Sequence, residues 1–120
     1  MAKKKYALVV FTDCPEPARR EEFERWYMHM HLPDLKDTKG LVRARRFTNM
    51  KPEEGPSQSM TFYEFETDDI DATITELQTT AAMAFTKGRH IEIFGLAGMY
   101  QFEEIDPASL KPLEKENPYG

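Results

Sequence analysis

The chain has 120 residues, 16 basic and 21 acidic, with a net charge of -5 at pH 7. That length holds one domain with a single core, and the acidic balance argues against a nucleic-acid surface. The single cysteine, Cys14, excludes an internal disulfide and any thiolate cluster for zinc or iron–sulfur. No apolar run approaches the ~20 residues of a membrane helix, and residues 1–12 lack a signal-peptide cleavage site, so a cytoplasmic protein with no membrane partner is expected.

Tyr6-Ala7-Leu8-Val9-Val10-Phe11 is a continuous β-prone apolar run, too uniform for a strand with one wet face, and it predicts a central strand covered on both sides. A turn through Pro15 and Pro17 leads into a helix from Ala18 to His31, with Glu21 and Glu22 early in it. At about 100° per residue, Phe23, Trp26, Tyr27 and Met30 share one face, His31 lies at its edge, and Glu24, Arg25 and His29 point away. Pro33 has no N–H and pushes Leu32 out of the helical region, so the helix is expected to stop or kink near His31.

Gly40 is a chain-reversal point before a second strand, Leu41–Thr48, in which Val42, Ala44 and Arg46 share one parity and Leu41, Arg43, Arg45 and Phe47 the other. Residues 49–58 carry two prolines and a glycine and form an exposed connection. Met60–Glu66 is a third strand. Thr67-Asp68-Asp69 supplies helix-start chemistry, and Ile70, Ile74, Leu77, Ala81, Ala84 and Phe85 recur at helical spacing to about Thr86. Lys87–His90 breaks that helix. Ile91–Phe102 reads as the last strand, with Gly95 and Gly98 marking a bulge or a close backbone approach. Residues 1–105 make the domain, and 106–120 form an extended tail outside the core with no packing pattern of its own, from which Leu110, Leu113 and Tyr119 could lie along a neighbouring surface.

The order β-α-β-β-α-β is the ferredoxin-like α+β arrangement, a four-stranded antiparallel sheet with two helices on one face. Its strands are apolar at both parities, so the face away from the helices needs a cover, and a second copy of the chain is the simplest one. The run Phe23-x-x-Trp26-Tyr27-x-x-x-His31-Leu32-Pro33-Asp34, together with Gly40, Ala44-x-Arg46-Phe47 and Phe62-Tyr63-Glu64-Phe65, resembles the dimeric α+β barrel superfamily, and its EthD-like members in particular. The resemblance covers residues 5–103. It implies a homodimer with a pocket in each subunit between sheet and helices, lined by the first-helix histidine. Relatives include polyketide cyclases, lactone isomerases, cofactor-free monooxygenases, haem-handling proteins and members of no known activity.

The residues narrow the chemistry. The glycine fingerprint of dinucleotide sites and the phosphate loop are both absent, which removes support for hydride and phosphoryl transfer. His29 and His31 are two apart and point about 200° from each other on a helix, so they cannot share an ion, and no metal is expected. His31 and Asp34 form the candidate catalytic pair. The helix end and the carboxylate raise the imidazole's pKa, burial lowers it, and the balance is expected near neutrality. Asp34 either orients the ring or caps the turn after Pro33. Phe23, Trp26 and Tyr27 are core and pocket wall together. Arg46 either reaches the pocket rim to hold an anionic or enolate oxygen or makes a surface ion pair. The Tyr63 phenol is a donor to substrate whose facing parity leaves open.

These residues, read with what the resemblance implies, lead to the expectation of a cofactor-free isomerase, cyclase or lyase using histidine acid/base chemistry on a small hydrophobic, aromatic or polyketide-like carbonyl compound. The alternatives are a non-catalytic carrier of a hydrophobic metabolite and, third, a haem protein with His31 or His90 as axial ligand.

Overall fold

The computed structural model describes residues 3–113. Its elements are β1 (Lys4–Asp13), α1 (Arg20–Trp26), a π-helical turn (Tyr27–His31), α2 (Leu32–Leu35), β2 (Leu41–Thr48), β3 (Ser59–Thr67), α3 (Ile70–Thr86) and β4 (Gly95–Glu103), with 3₁₀ turns at Pro17–Arg19 and Pro107–Ser109. The strands make one antiparallel sheet in the order β2-β3-β1-β4, the ferredoxin-like order, with the helices on one face.

β1 is central, paired on both edges, as its apolar run requires. Its even residues Leu8 and Val10 face the helices opposite Tyr63 and Thr61 of β3. With Phe65, Leu35, Ile74 and Leu77 they form the main core, each apolar side chain contributing roughly 1.5–3 kcal/mol of burial. A second cluster, Cys14, Phe23, Trp26, Tyr27 and Ile93, gathers around the buried side of α1 and the π turn. Asp69 caps α3 by accepting from the Ala72 N–H at 3.1 Å, as the Thr-Asp-Asp run predicts. Gly40 has φ 92°, and a Cβ there would press on Thr67 and Thr73, so the chain reversal needs glycine. A Cβ at Gly95 would strike the Asp13 carbonyl, and the β1–β4 register slips between Phe11 and Thr12, the close approach and the bulge expected of that strand.

Three local expectations are corrected. The first helix does not end at His31: the Leu32 N–H donates to the Tyr27 carbonyl five residues back, and the chain continues through α2. A π turn is the backbone's means of passing a proline, because its ladder is already shifted where the missing N–H would fall. The last strand begins at Gly95, since residues 91–94 turn inward and bury Ile93. Val42 leaves the helix face, because the β2–β3 register slips between Leu41 and Arg43 and a one-residue slip reverses facing.

Of the tail, Pro107–Ser109 forms a 3₁₀ turn held by the Asp106 side chain, and residues 106–113 are exposed. Residues 114–120, Tyr119 among them, lie outside the described residues. No helix among the described residues is long and apolar enough to cross a membrane.

Candidate active site

The π turn decides where His31 points. In a regular α-helix, residues five apart face different directions. With one residue more per turn, Trp26 and His31 come onto one side, and their rings stack 4.9 Å apart at 13°. The imidazole also meets the Tyr27 ring edge-on at 4.9 Å and lies 5.7 Å from Phe85. Among the described residues no group hydrogen-bonds to its nitrogens, so packing alone orients it.

His31 opens onto a cavity of about 140 Å³ between the sheet and the helices. Leu8, Val10, Leu35, Leu77, Phe85 and Phe94 form its apolar wall, Tyr27 and Tyr63 bring phenols, and Leu96, Met99 and Gln78 stand at the exposed side. No lining residue carries a permanent charge. Tyr63 therefore faces the helices, which the strand pattern left open, and it is 2 % exposed. Burial, and then the Tyr27 phenol beside it, push its pKa well above the usual range, so it remains a hydrogen-bond donor at neutral pH.

The expectation of a near-neutral His31 is overturned. Burial pushes its pKa down to about 4, the Asp34 carboxylate opposes this in part, and the Arg46 guanidinium adds to it. The helix continues past His31 to Leu35, so the ring does not sit at a helix C-terminus whose partial negative charge would favour its charged form. At pH 7 the imidazole is neutral. A buried histidine whose folded pKa lies below its unfolded 6.5 gives stability that is intact above 6.5 and lost as pH falls from there to about 4. Lowering the pH across that window is expected to cost about 3 kcal/mol through this group. Urea melts of wild type and His31→Gln at several pH values check it; parallel pH dependences in the two proteins would contradict it.

The other candidates fall into three groups. Tyr27 and Tyr63 share the cavity with His31, whereas Phe23 and Trp26 pack behind it. Asp34 does not hydrogen-bond the imidazole. Its carboxylate accepts two bonds from Arg89, from Nε at 2.7 Å and Nη2 at 2.9 Å. Arg46 is neither a rim residue nor a surface ion pair. Its side chain is 5 % exposed, forks onto Glu24 at 2.8 and 3.0 Å, donates to the Thr61 hydroxyl at 3.1 Å, and lies 3.7 Å from the Tyr27 ring centroid. Glu24 correspondingly points under the helix rather than away from it, while Arg25 and His29 are exposed as expected.

Residues that sequence reasoning missed are Glu24, Phe94 and Arg89. The carbonyl of Arg89 accepts the Trp26 indole N–H at 3.1 Å. Among the described residues no three His, Cys, Asp or Glu side chains gather closely enough to hold a metal ion. A second depression, about 440 Å³, lies on the opposite sheet face among Lys5, Ala7, Val42, Phe62, Glu64 and Phe102.

No protein-family model matches the chain, and no curated protein matches it. Solved structures do. HapK from Hahella chejuensis aligns with TM-score 0.61 and 13% identity over 83% of this chain and 92% of that one. A variant of MhuD, crystallised with two manganese protoporphyrin IX molecules per active site, aligns with TM-score 0.58 and 15% identity over 84% and 94%. An ethyl tert-butyl ether D (EthD) family protein from Bacillus halodurans aligns with TM-score 0.52 and 16% identity over 85% and 99%. At these identities the likeness is one of fold, and the chain shares the ferredoxin-like α+β fold of these proteins.

Proposed function

We propose that the cavity binds a small, uncharged, largely apolar carbonyl compound, and that His31 is the general base of a cofactor-free isomerase, cyclase or lyase. The observation that carries this is a buried neutral imidazole facing an apolar cavity that it shares with two phenols, of which Tyr63 is held protonated by burial. A base this weak removes only protons that are already acidic. The substrate class is therefore one whose reacting carbon lies between two carbonyls or beside an aromatic ketone.

In the step, an imidazole nitrogen takes the proton from that carbon, and the C–H electron pair moves into the carbon–oxygen system as an enolate. Its oxygen accepts a hydrogen bond from the Tyr63 or Tyr27 phenol, which stabilises the developing charge. The imidazolium returns its proton to another carbon in an isomerisation, or to the alkoxide formed when the enolate closes on a second carbonyl. Burial favours that return by disfavouring the charged ring.

The test is exchange of the α-protons of benzoylacetone, an aromatic 1,3-dicarbonyl, in deuterated buffer at pH 7. Exchange well above buffer alone supports the enzyme. Binding without acceleration supports the carrier reading, which the uncharged cavity wall also suits. The haem reading fits poorly: a porphyrin is several times larger than a two-ring-sized ligand, this cavity is about 140 Å³, and none of its lining residues is a cation to meet a porphyrin carboxylate.

The working unit in this reading is a cytoplasmic homodimer. Val42, Phe47, Tyr100 and Phe102 are exposed on or beside the open sheet face, a patch that monomers rarely leave in water. Light scattering at micromolar concentration is expected to give twice the 14.0 kDa chain mass. A monomer would count against the pairing.

A further inference from the structure

Trp26, His31 and Asp34 come from one continuous helical run, and Arg89 from the segment between α3 and β4. A closed set of interactions links them. The Asp34 carboxylate holds the Arg89 guanidinium through both of its oxygens. The Arg89 carbonyl holds the indole N–H of Trp26. The indole lies flat against the imidazole, whose nitrogens have no hydrogen-bond partner among the described residues. An imidazole held only by packing is as well oriented as the ring it stacks on.

We propose that Asp34 and Arg89 are positioning residues for the His31 site: their ion pair fixes the backbone carbonyl that anchors Trp26, and Trp26 in turn fixes the imidazole in the cavity. The proposal deepens, and rests on, the reading of His31 as the working base. Bidentate arginine–carboxylate geometry supplies the rigidity, because both groups are planar and two parallel bonds fix their relative orientation. A lysine at position 89 keeps the charge and loses the fork. The Asp34 side chain is 19% exposed and that of Arg89 44%. Water competes for both groups, so the pair orders this corner rather than supporting the whole fold. The segment it fastens also carries Ile93 and Phe94 into the aromatic cluster, so the same clasp closes the cavity's wall.

Trp26 is the chain's one tryptophan, and its fluorescence reports this corner without a substrate. In Arg89→Ala and Asp34→Asn, acrylamide quenching is expected to rise about threefold, as in local opening, with a red-shifted emission and an unchanged far-UV spectrum. Arg89→Lys is expected to fall between these and wild type. The exchanged pair Asp34→Arg with Arg89→Asp is expected to restore part of the protection, which general damage to the helix would not. In ¹⁵N spectra the His31 ring signal should broaden or shift in the two single variants. Quenching and His31 signals unchanged in both would overturn the proposal. If Arg89→Ala fails to fold, Asp34→Asn and Arg89→Lys decide the question by the same readings. Should His31→Gln leave exchange intact, the base reading fails by that result alone, and the fluorescence series still decides whether the clasp holds the ring.

Discussion

His31→Gln is expected to lower benzoylacetone exchange by ~10²–10⁴-fold, the range for loss of a positioned general base, with affinity for the ligand little changed. Glutamine has nearly the length of the imidazole and can donate to a bound carbonyl, but it cannot take a proton at pH 7. The loss therefore belongs in kcat rather than in KM. His29→Gln is the internal control. It lies two residues away on the same π turn, is exposed, and is expected to change exchange by less than about twofold, as for surface substitutions. Asp34→Asn is expected to cost less than His31→Gln, because the carboxylate acts through Arg89 and Trp26 rather than on substrate. Equal losses at both histidines would point to helix damage. Exchange surviving in His31→Gln would remove the base.

The largest effect on stability is expected at Arg46. Its guanidinium is buried between Glu24, Thr61 and the Tyr27 ring, so Arg46→Met strands a carboxylate that also accepts from the Ser59 hydroxyl at 2.7 Å. Breaking one partner of a buried pair typically costs about 3–5 kcal/mol. The Glu24 side chain keeps 29% exposure, which places the expected loss near the lower end. Replacing both partners, Glu24→Leu with Arg46→Met, is expected to cost less than either single change, because no charge is left alone. Burial by itself would raise the Glu24 carboxyl, but hydrogen bonds from Arg46 and then Ser59 outweigh it and hold the group below its ordinary 4.5. A carboxyl depressed in this way gives stability present above about 4.5 and lost as pH falls through its folded value. Urea unfolding at pH 7 measures the first claim. A loss below about 1 kcal/mol in Arg46→Met would class the pair with exposed ion pairs.

Where a pattern repeats within one element, the sequence was informative. The apolar run at 6–11 places β1 in the middle of the sheet, the period along 70–86 gives α3 its limits, and Asp69 caps it. The site was legible as far as the first helix, where Phe23, Trp26, Tyr27 and His31 are all buried and His29 is not. What escaped depends on the backbone departing from its period or on partners distant in sequence. A proline signals a broken helix, yet here a π turn carries the chain past it and sets the imidazole on the indole. The Val42 slip reverses a facing that alternation assigned. Arg46 and Glu24 are 22 residues apart, and Asp34 and Arg89 are 55 apart. Neither pairing leaves a trace in local spacing, so Arg89 read as part of a helix break and Glu24 as a solvated acid.

The most direct test of the account is to titrate benzoylacetone into protein carrying ¹⁵N-labelled histidine at pH 7 and follow the His31 ring nitrogens. The ring is expected to be neutral at the start, and its signals are expected to move in proportion to ligand bound, while those of His29 stay in place. A His31 ring already charged at pH 7, or one whose signals stay still while ligand binds, would contradict the account.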